Sequence, residues 1–246
     1  MSHATTQPLP DFGASGITLP SSQGWRALGR TLISGYVDSY ALLNVGVYAS
    51  FMTGNTTSGG SHLGQTDFAA AGHSLLPIPF FALGILAGTL LVRLDRRHAL
   101  SRISLAVAFL LALGAARAYF EWSAWLGIVI LSSAMGMLNT SISRVGGQAV
   151  SLGFMTGDLN NLAQHLAMGI LRVPVDQAQG PRDTHWRRAA LLSGLWTCFF
   201  IGTILGAVLA SRVGVWTLLL PALMLLVLAL AEPATDSTVA DKHGIG

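Results

Sequence analysis

Gly35-Tyr36-Val37-Asp38, then an apolar run, then Phe51-Met52-Thr53-Gly54-Asn55: this stretch of the first half returns in the second as Gly136-Met137-Leu138-Asn139 followed by Phe154-Met155-Thr156-Gly157-Asp158, about a hundred positions on. After a gap, Phe81, Gly84 and Gly88 align with Phe199, Gly202 and Gly206. Agreement in order and residue type over three successive segments reads as an internal duplication.

Composition says which solvent the duplication suits. Of 246 residues, 52% are hydrophobic and 10% charged, where a soluble domain has about a quarter charged. The charges are also confined. Between Thr31 and Val92 only Asp38 and Asp67 carry one, and between Ala189 and Ala231 only Arg212. Such long apolar stretches, with glycines scattered through them, are those of helices in lipid, since a bilayer core takes about 20 apolar residues per crossing. A soluble domain would lack the polar surface to enclose so many buried helices. The net charge of +3 comes from basic residues spread over short loops, with no run that would track a phosphate backbone. No nucleic-acid partner is expected.

Six apolar runs are long enough to cross, near Leu28 to Ser50, Pro77 to Leu94, Ile103 to Phe120, Trp125 to Ser141, Ala189 to Ser211 and Gly214 to Ala231. Between them, Gly54 to Leu75 and Gly157 to Leu171 are rich in Thr, Ser, Asn, Gln and His, too polar to face lipid along their length. Each is expected to form a short helix inside the bundle, starting at the glycine with Thr53 or Thr156 as its N-cap.

Orientation follows from the loop arginines. Arg26 and Arg30 precede the first run. Arg93, Arg96, Arg97 and Arg102 follow the second, and Arg144, Arg172, Arg182, Arg187 and Arg188 lie between the fourth and fifth. The positive-inside rule makes these regions cytoplasmic and leaves 58–73 outside. Both short helices then return to the side they left, and three crossings per half invert one half relative to the other. If the short helices cross instead, the halves are parallel with four crossings each. The expected fold is all-α: a polytopic transmembrane helix bundle of about six crossings plus two short internal helices. Its two repeats span 26–122 and 123–231, between a disordered N-terminal tail (1–25) and a C-terminal tail (232–246).

Polar residues at membrane depth carry the functional expectation. Asp38 lies about ten residues into the first run, where an unpaired carboxylate is costly, so it should face the interior. It would either bind a proton or cation, or fix helix register through Ser34, Ser39 or Tyr40. Its counterpart in the second half is Asn139. Arg144 would either anchor at the cytoplasmic end or point inward as a counter-ion, helped by the pliable Gly146-Gly147 pair. A chain that reverses inside a membrane leaves first-turn amides that need a cap, a neighbour or a ligand, and they carry the positive end of the helix dipole. Thr53, Gly54 and Asn55 are therefore expected to form one wall of a solute site, and Thr156, Gly157 and Asp158 the other. His165 would serve as a proton shuttle or a hydrogen-bonding partner. The repeated glycines at 84/88 and 202/206 read as close-packing faces. No metal-ligand spacing, catalytic triad or nucleotide fingerprint occurs in context, so neither metal, cofactor nor enzymatic activity is expected.

The Gly-Tyr-Val-Asp and Phe-Met-Thr-Gly-Asn-Thr pattern at 35–38 and 51–56 resembles the signature of the YoaK-like family of bacterial membrane proteins, a domain of unknown function. Gly136-Met-Leu-Asn139, Arg144 and Met155-Thr-Gly157 are similar to its second signature, and the likeness runs from Arg26 to Ala231. Asp158 departs from it where an uncharged residue would stand. The resemblance implies a multi-pass protein of the bacterial inner membrane and leaves its substrate open. Two functions then compete. One is a secondary transporter or channel for a small solute held between the two helix starts. The other is a membrane scaffold or assembly subunit without a pathway, in which the repeated motifs only lock helices together.

Overall fold

The computed structural model describes residues 17–19, 23–95, 97–145, 148–150, 155–175, 178, 180 and 182–232. Strand β1 (Ile17–Leu19) precedes helices α1 (Gly24–Val45), α2 (Met52–Gly64), α3 (Phe68–Leu75), α4 (Pro77–Leu94), α5 (Ala99–Tyr119) and α6 (Ala124–Asn139). Strands β2 (Ile142–Val145) and β3 (Gln148–Ala149) follow, then α7 (Met155–Ile170), α8 (His185–Val213), a 3-10 turn (Gly214–Leu218) and α9 (Leu219–Ala231). The fold is an all-α bundle with one small sheet, β1 parallel to β2 and β2 antiparallel to β3.

Local chemistry sets the element ends. Gly46, at φ 72°, ends α1 in the left-handed region and donates to the Leu42 carbonyl at 3.2 Å, a position that suits a residue without a Cβ. Pro77 opens α4, where its missing N–H leaves no bond unmade. The bundle's outer surface is apolar. Trp196, Phe200, Ile204 and Leu205 on α8 and Leu83, Leu86 and Leu90 on α4 are exposed. Tyr119, Phe120, Trp122, Trp125 and Trp216 gather at one end, and Trp25 and Trp186 stand exposed at the starts of α1 and α8. An apolar belt with aromatic ends is how a bundle meets a bilayer and its two interfaces. Among the described residues, three segments are long and apolar enough to cross by length and composition: Phe68–Leu94, Ala99–Tyr119 and His185–Ala231, with α6 a shorter apolar helix.

Helix packing turns on six glycines. A Cβ on Gly35 would collide with the carbonyl of Phe199, one on Gly202 with that of Leu32, and one on Gly206 with that of Tyr36, so α1 and α8 touch backbone to backbone. The pair α4 and α6 repeats the geometry. A Cβ on Gly136 would strike the carbonyl of Phe81, one on Gly84 that of Ser133, and one on Gly88 the Thr140 side chain beside the Met137 carbonyl. Small residues allow this approach, and in lipid the dispersion contact it brings is what holds helices together. Around these pairs lies a core of Ile33, Tyr36 and Val37 from α1, Ile103, Val107 and Leu111 from α5, and Ile128, Leu131 and Met135 from α6.

Several expectations need correction. Residues 17–19 of the expected disordered tail form a strand, because the extended chain at 142–145 presents a free edge for pairing, and α1 begins at Gly24. The other residues before Gln23 lie outside the described set. Arg30 is fully buried instead of anchoring in a loop. Its Nη2 donates to Ser104 Oγ at 2.8 Å and pairs with Glu232, whose side chain is 2% exposed. Glu232 thus belongs to the bundle and not to the tail, while 233–246 lie outside the described residues. Gly54 to Leu75 holds two helices, split where Asp67 caps α3 by accepting from Ala70 N at 3.0 Å. Nor is either polar helix enclosed by the described residues: α2 buries only Asn55 and Gly59, and α7 only Asp158. Each polar segment needs just one covered face, and Gly59 provides it in α2 by receiving the Leu75 side chain.

Candidate functional site

The first reversal, Gly46 to Phe51, is fastened by two side chains from either side of it. Asp38, 4% exposed on α1, accepts from Ser50 N at 2.7 Å and from Ser50 Oγ at 2.8 Å. The partners expected on its own helix are replaced by this loop, because a carboxylate pointing across the bundle reaches the amides where the chain turns. Asn55, in the first turn of α2, accepts from Tyr48 N at 3.0 Å and donates to Tyr48 O at 2.7 Å. Its amide thereby satisfies both backbone groups of a residue that has no helix of its own. Thr53 is not the N-cap. The helix starts one residue before it, Phe51 occupies the cap position without a side-chain bond, and Thr53 is exposed. Gly54 leaves room for the Phe51 ring, which a Cβ there would strike.

The second reversal is built differently. The helix ends at Asn139 itself, with Thr140 and Ser141 hydroxyls turned back onto the Met137 and Leu138 carbonyls. The chain then extends into β2 and β3, and Ile142, Val145 and Val150 pack on Ala27, Leu100, Leu192 and Leu195. Arg144 stands in β2 opposite Ala149; its side chain, like Gly146, Gly147 and Phe154, lies outside the described residues. Asn139 Oδ1 is buried without a hydrogen-bond partner. Thr156 is the second residue of α7 and exposed, so it too lies inside the helix instead of capping it, followed by Gly157 and the buried Asp158. An acid in that first turn faces the positive end of the helix dipole. His165 Nδ1 lies 2.8 Å from His185 Nδ1, tying α7 to the start of α8.

Between the two helix starts lies a cavity of about 330 Å³, lined by Asp38, Ser39 and Leu42 of α1, Tyr48 and Phe51 of the first reversal, Met155 and Thr156 of α7, and Phe199 and Thr203 of α8. Of the residues singled out from sequence, Asp38 and Thr156 reach it. Thr53, Gly54, Asn55, Asn139, Gly157 and Asp158 do not line it. The chemistry of the walls is mixed: a carboxylate, hydroxyls, and the edge-to-face pair of Tyr48 and Phe51 rings at 5.3 Å. Ser39 and Phe199 entered the sequence reading only as a neighbour of Asp38 and as a repeat position, and Tyr48 and Thr203 did not enter it. Phe199 and Thr203, four apart, share one face of α8, a signal that period alone carries but that the apolar run around them hides. Among the described residues no group of three metal ligands occurs.

Residues 27–231 match a family described as "Protein of unknown function (DUF1275)". The chain is 33% identical over 201 residues to the "UPF0700 transmembrane protein RA0705" of Rhizobium meliloti (strain 1021), covering 82% of each chain. No solved structure matches it.

Proposed function

The chain belongs to the DUF1275 family, and from its own geometry we propose that this membrane protein is a secondary transporter or channel for a small solute bound in the cavity between the two helix starts. One observation carries the reading: a single cavity is bounded by a buried acid of α1, by the turn that opens α2 and by the first residues of α7. Two reversals from opposite halves converging on one space are how transporters with internal repeats make a site. The glycine contacts support a two-fold duplication, since Gly35 on Phe199, Gly202 on Leu32 and Gly206 on Tyr36 become Gly136 on Phe81, Gly84 on Ser133 and Gly88 on Met137 when the halves are exchanged. On this reading α1, α4, α5, α6, α8 and α9 are six crossings of a bacterial inner membrane with the N-terminus cytoplasmic.

A thermal-shift screen of the purified protein against amines, organic acids, amino acids and nucleobases tests the site. A ligand at 100 times its Kd stabilises by about 2.7 kcal/mol, and the shift should vanish in Thr203→Trp, which fills the cavity. No shift with any class would count against a solute. Orientation is tested by single cysteines at Ser61 and Ala178 in a Cys198→Ser background. They should label from opposite faces, and labelling from one face sinks the inverted arrangement. The scaffold reading has its own support: Asp38 and Asn55 are bonded to their own loop, and most of α2 is uncovered. A stable partner isolated with the protein from native membranes, together with an empty ligand screen, would favour it.

A further inference from the structure

The balance of charge in the cavity sets the class of solute. Among the described lining residues Asp38 is the one formal charge, and none of them is an arginine or lysine. None of the ion pairs among the described residues involves Asp38; they join Arg30 to Glu232, His98 and Arg102 to Asp95, and Arg188 to Asp183. A carboxylate offers about four lone-pair positions; Ser50 fills two of them, one on each oxygen, and the Ala49 amide is a further donor to the same group. The buried acid therefore keeps acceptor capacity beside the cavity, which a proton, a cation or a cationic ligand can take up.

The other walls point the same way. Thr203 Oγ1 gives its proton to the Phe200 carbonyl at 2.7 Å, so what it turns to a neighbour is an acceptor. Tyr48, Phe51 and Phe199 supply aromatic surface and Met155 a polarisable thioether, which together favour a cation over an anion of equal size. The amide of Ser50, just ahead of α2, is already taken by Asp38 and is not free for an electron-rich group. At 330 Å³ the space falls at the small end of ligand cavities. Building on the reading of this cavity as a solute site, we infer that it takes a small organic cation, an ammonium on a short aliphatic or aromatic body, with the ammonium on Asp38 and the body against Phe51 and Phe199.

Three probes of nearly one shape test the inference on the full-length protein in detergent: phenethylammonium, phenethyl alcohol and phenylacetate, with binding followed by calorimetry against a salt-matched blank. Phenethylammonium should bind at least about tenfold more tightly than the alcohol, the range of a charge-assisted hydrogen bond, and phenylacetate should not bind. Asp38→Asn keeps an acceptor for Ser50 N and should erase the preference for the amine over the alcohol. If that variant fails to fold, Phe199→Leu answers instead, since it leaves the carboxylate in place and keeps an apolar wall. It should weaken the amine several-fold more than the alcohol. Equal or tighter binding of the alcohol or the acid overturns the cationic class while the solute site stands. A shift produced by sodium chloride alone, with no added effect of the amine, also overturns it. Binding of none of the three overturns this inference, while the solute site itself stands or falls by the broader ligand screen.

Discussion

The two reversals start from matching sequence and end as different objects. In the first, α1 runs on for seven residues past Asp38 before it stops at Val45, and the short bend beyond it is held by an acid on one side and an amide on the other. In the second, the helix stops at Asn139 and the chain becomes a hairpin that borrows a strand from before α1. The acid and the amide have changed places: Asp38 and Asn55 in the first half stand where Asn139 and Asp158 stand in the second. A carboxylate accepts only, so at position 38 it can gather the N–H and O–H of Ser50. An amide at 139 has no such loop to gather, its oxygen is left without a partner, and the sheet does the fastening instead. Matching sequence at two turns thus leaves room for different fastenings, by side chains in the first and by backbone pairing in the second.

The largest effect that separates the reversals is the loss of Asp38. Asp38→Ala leaves two donors of Ser50 unpaired at a buried site and should cost about 3 kcal/mol, read by reversible unfolding in mixed micelles. A neutral result would mean that the first reversal holds itself and that the contrast with the second is illusory. Next come the glycines, where the halves should behave alike. Gly35→Ala and Gly136→Ala each drive a methyl into a carbonyl of the neighbouring helix, and each should lose about 1–3 kcal/mol. A large inequality between them would break the correspondence of α1 on α8 with α6 on α4.

Smaller effects sharpen the contrast. Asn139→Ala removes an oxygen that bonds to nothing and should cost under about 1 kcal/mol, well below its counterpart. The smallest change is expected at the threonines. Thr53→Ala should stay within about 0.5 kcal/mol of the parent, as exposed substitutions do, because the cap position belongs to Phe51 and takes no side-chain bond. A loss of about 1–2 kcal/mol, the worth of a true N-cap, would restore the sequence reading that the structure replaced.

That misreading of Thr53 shows where inference from residues stops. Thr-Gly after an apolar run is a fair helix-start signal, but a cap is a dihedral and a hydrogen bond, and neither is written in residue type. The same holds for Asp38: burial of an acid among apolar neighbours could be expected from its depth, while its partner twelve residues on depends on how the loop folds back. Arg30 shows the opposite error. It reads as a loop charge marking a membrane face, yet it is buried against Glu232 and Ser104 because α9 and α5 close over the start of α1.

Sequence by itself determined the solvent, the helices and the pairing faces. Long apolar runs with few charges can be satisfied only as helices in lipid, and glycines repeated at four-residue spacing mark the sides on which those helices touch. Only the tertiary structure decided which helices meet, where the two reversals lie relative to one another, and that Ser39, Tyr48, Phe199 and Thr203 join Asp38 around one cavity. The reason is physical: period and composition act within a few turns of chain, whereas a cavity is what remains after helices distant in sequence have packed, and its walls are chosen by that packing.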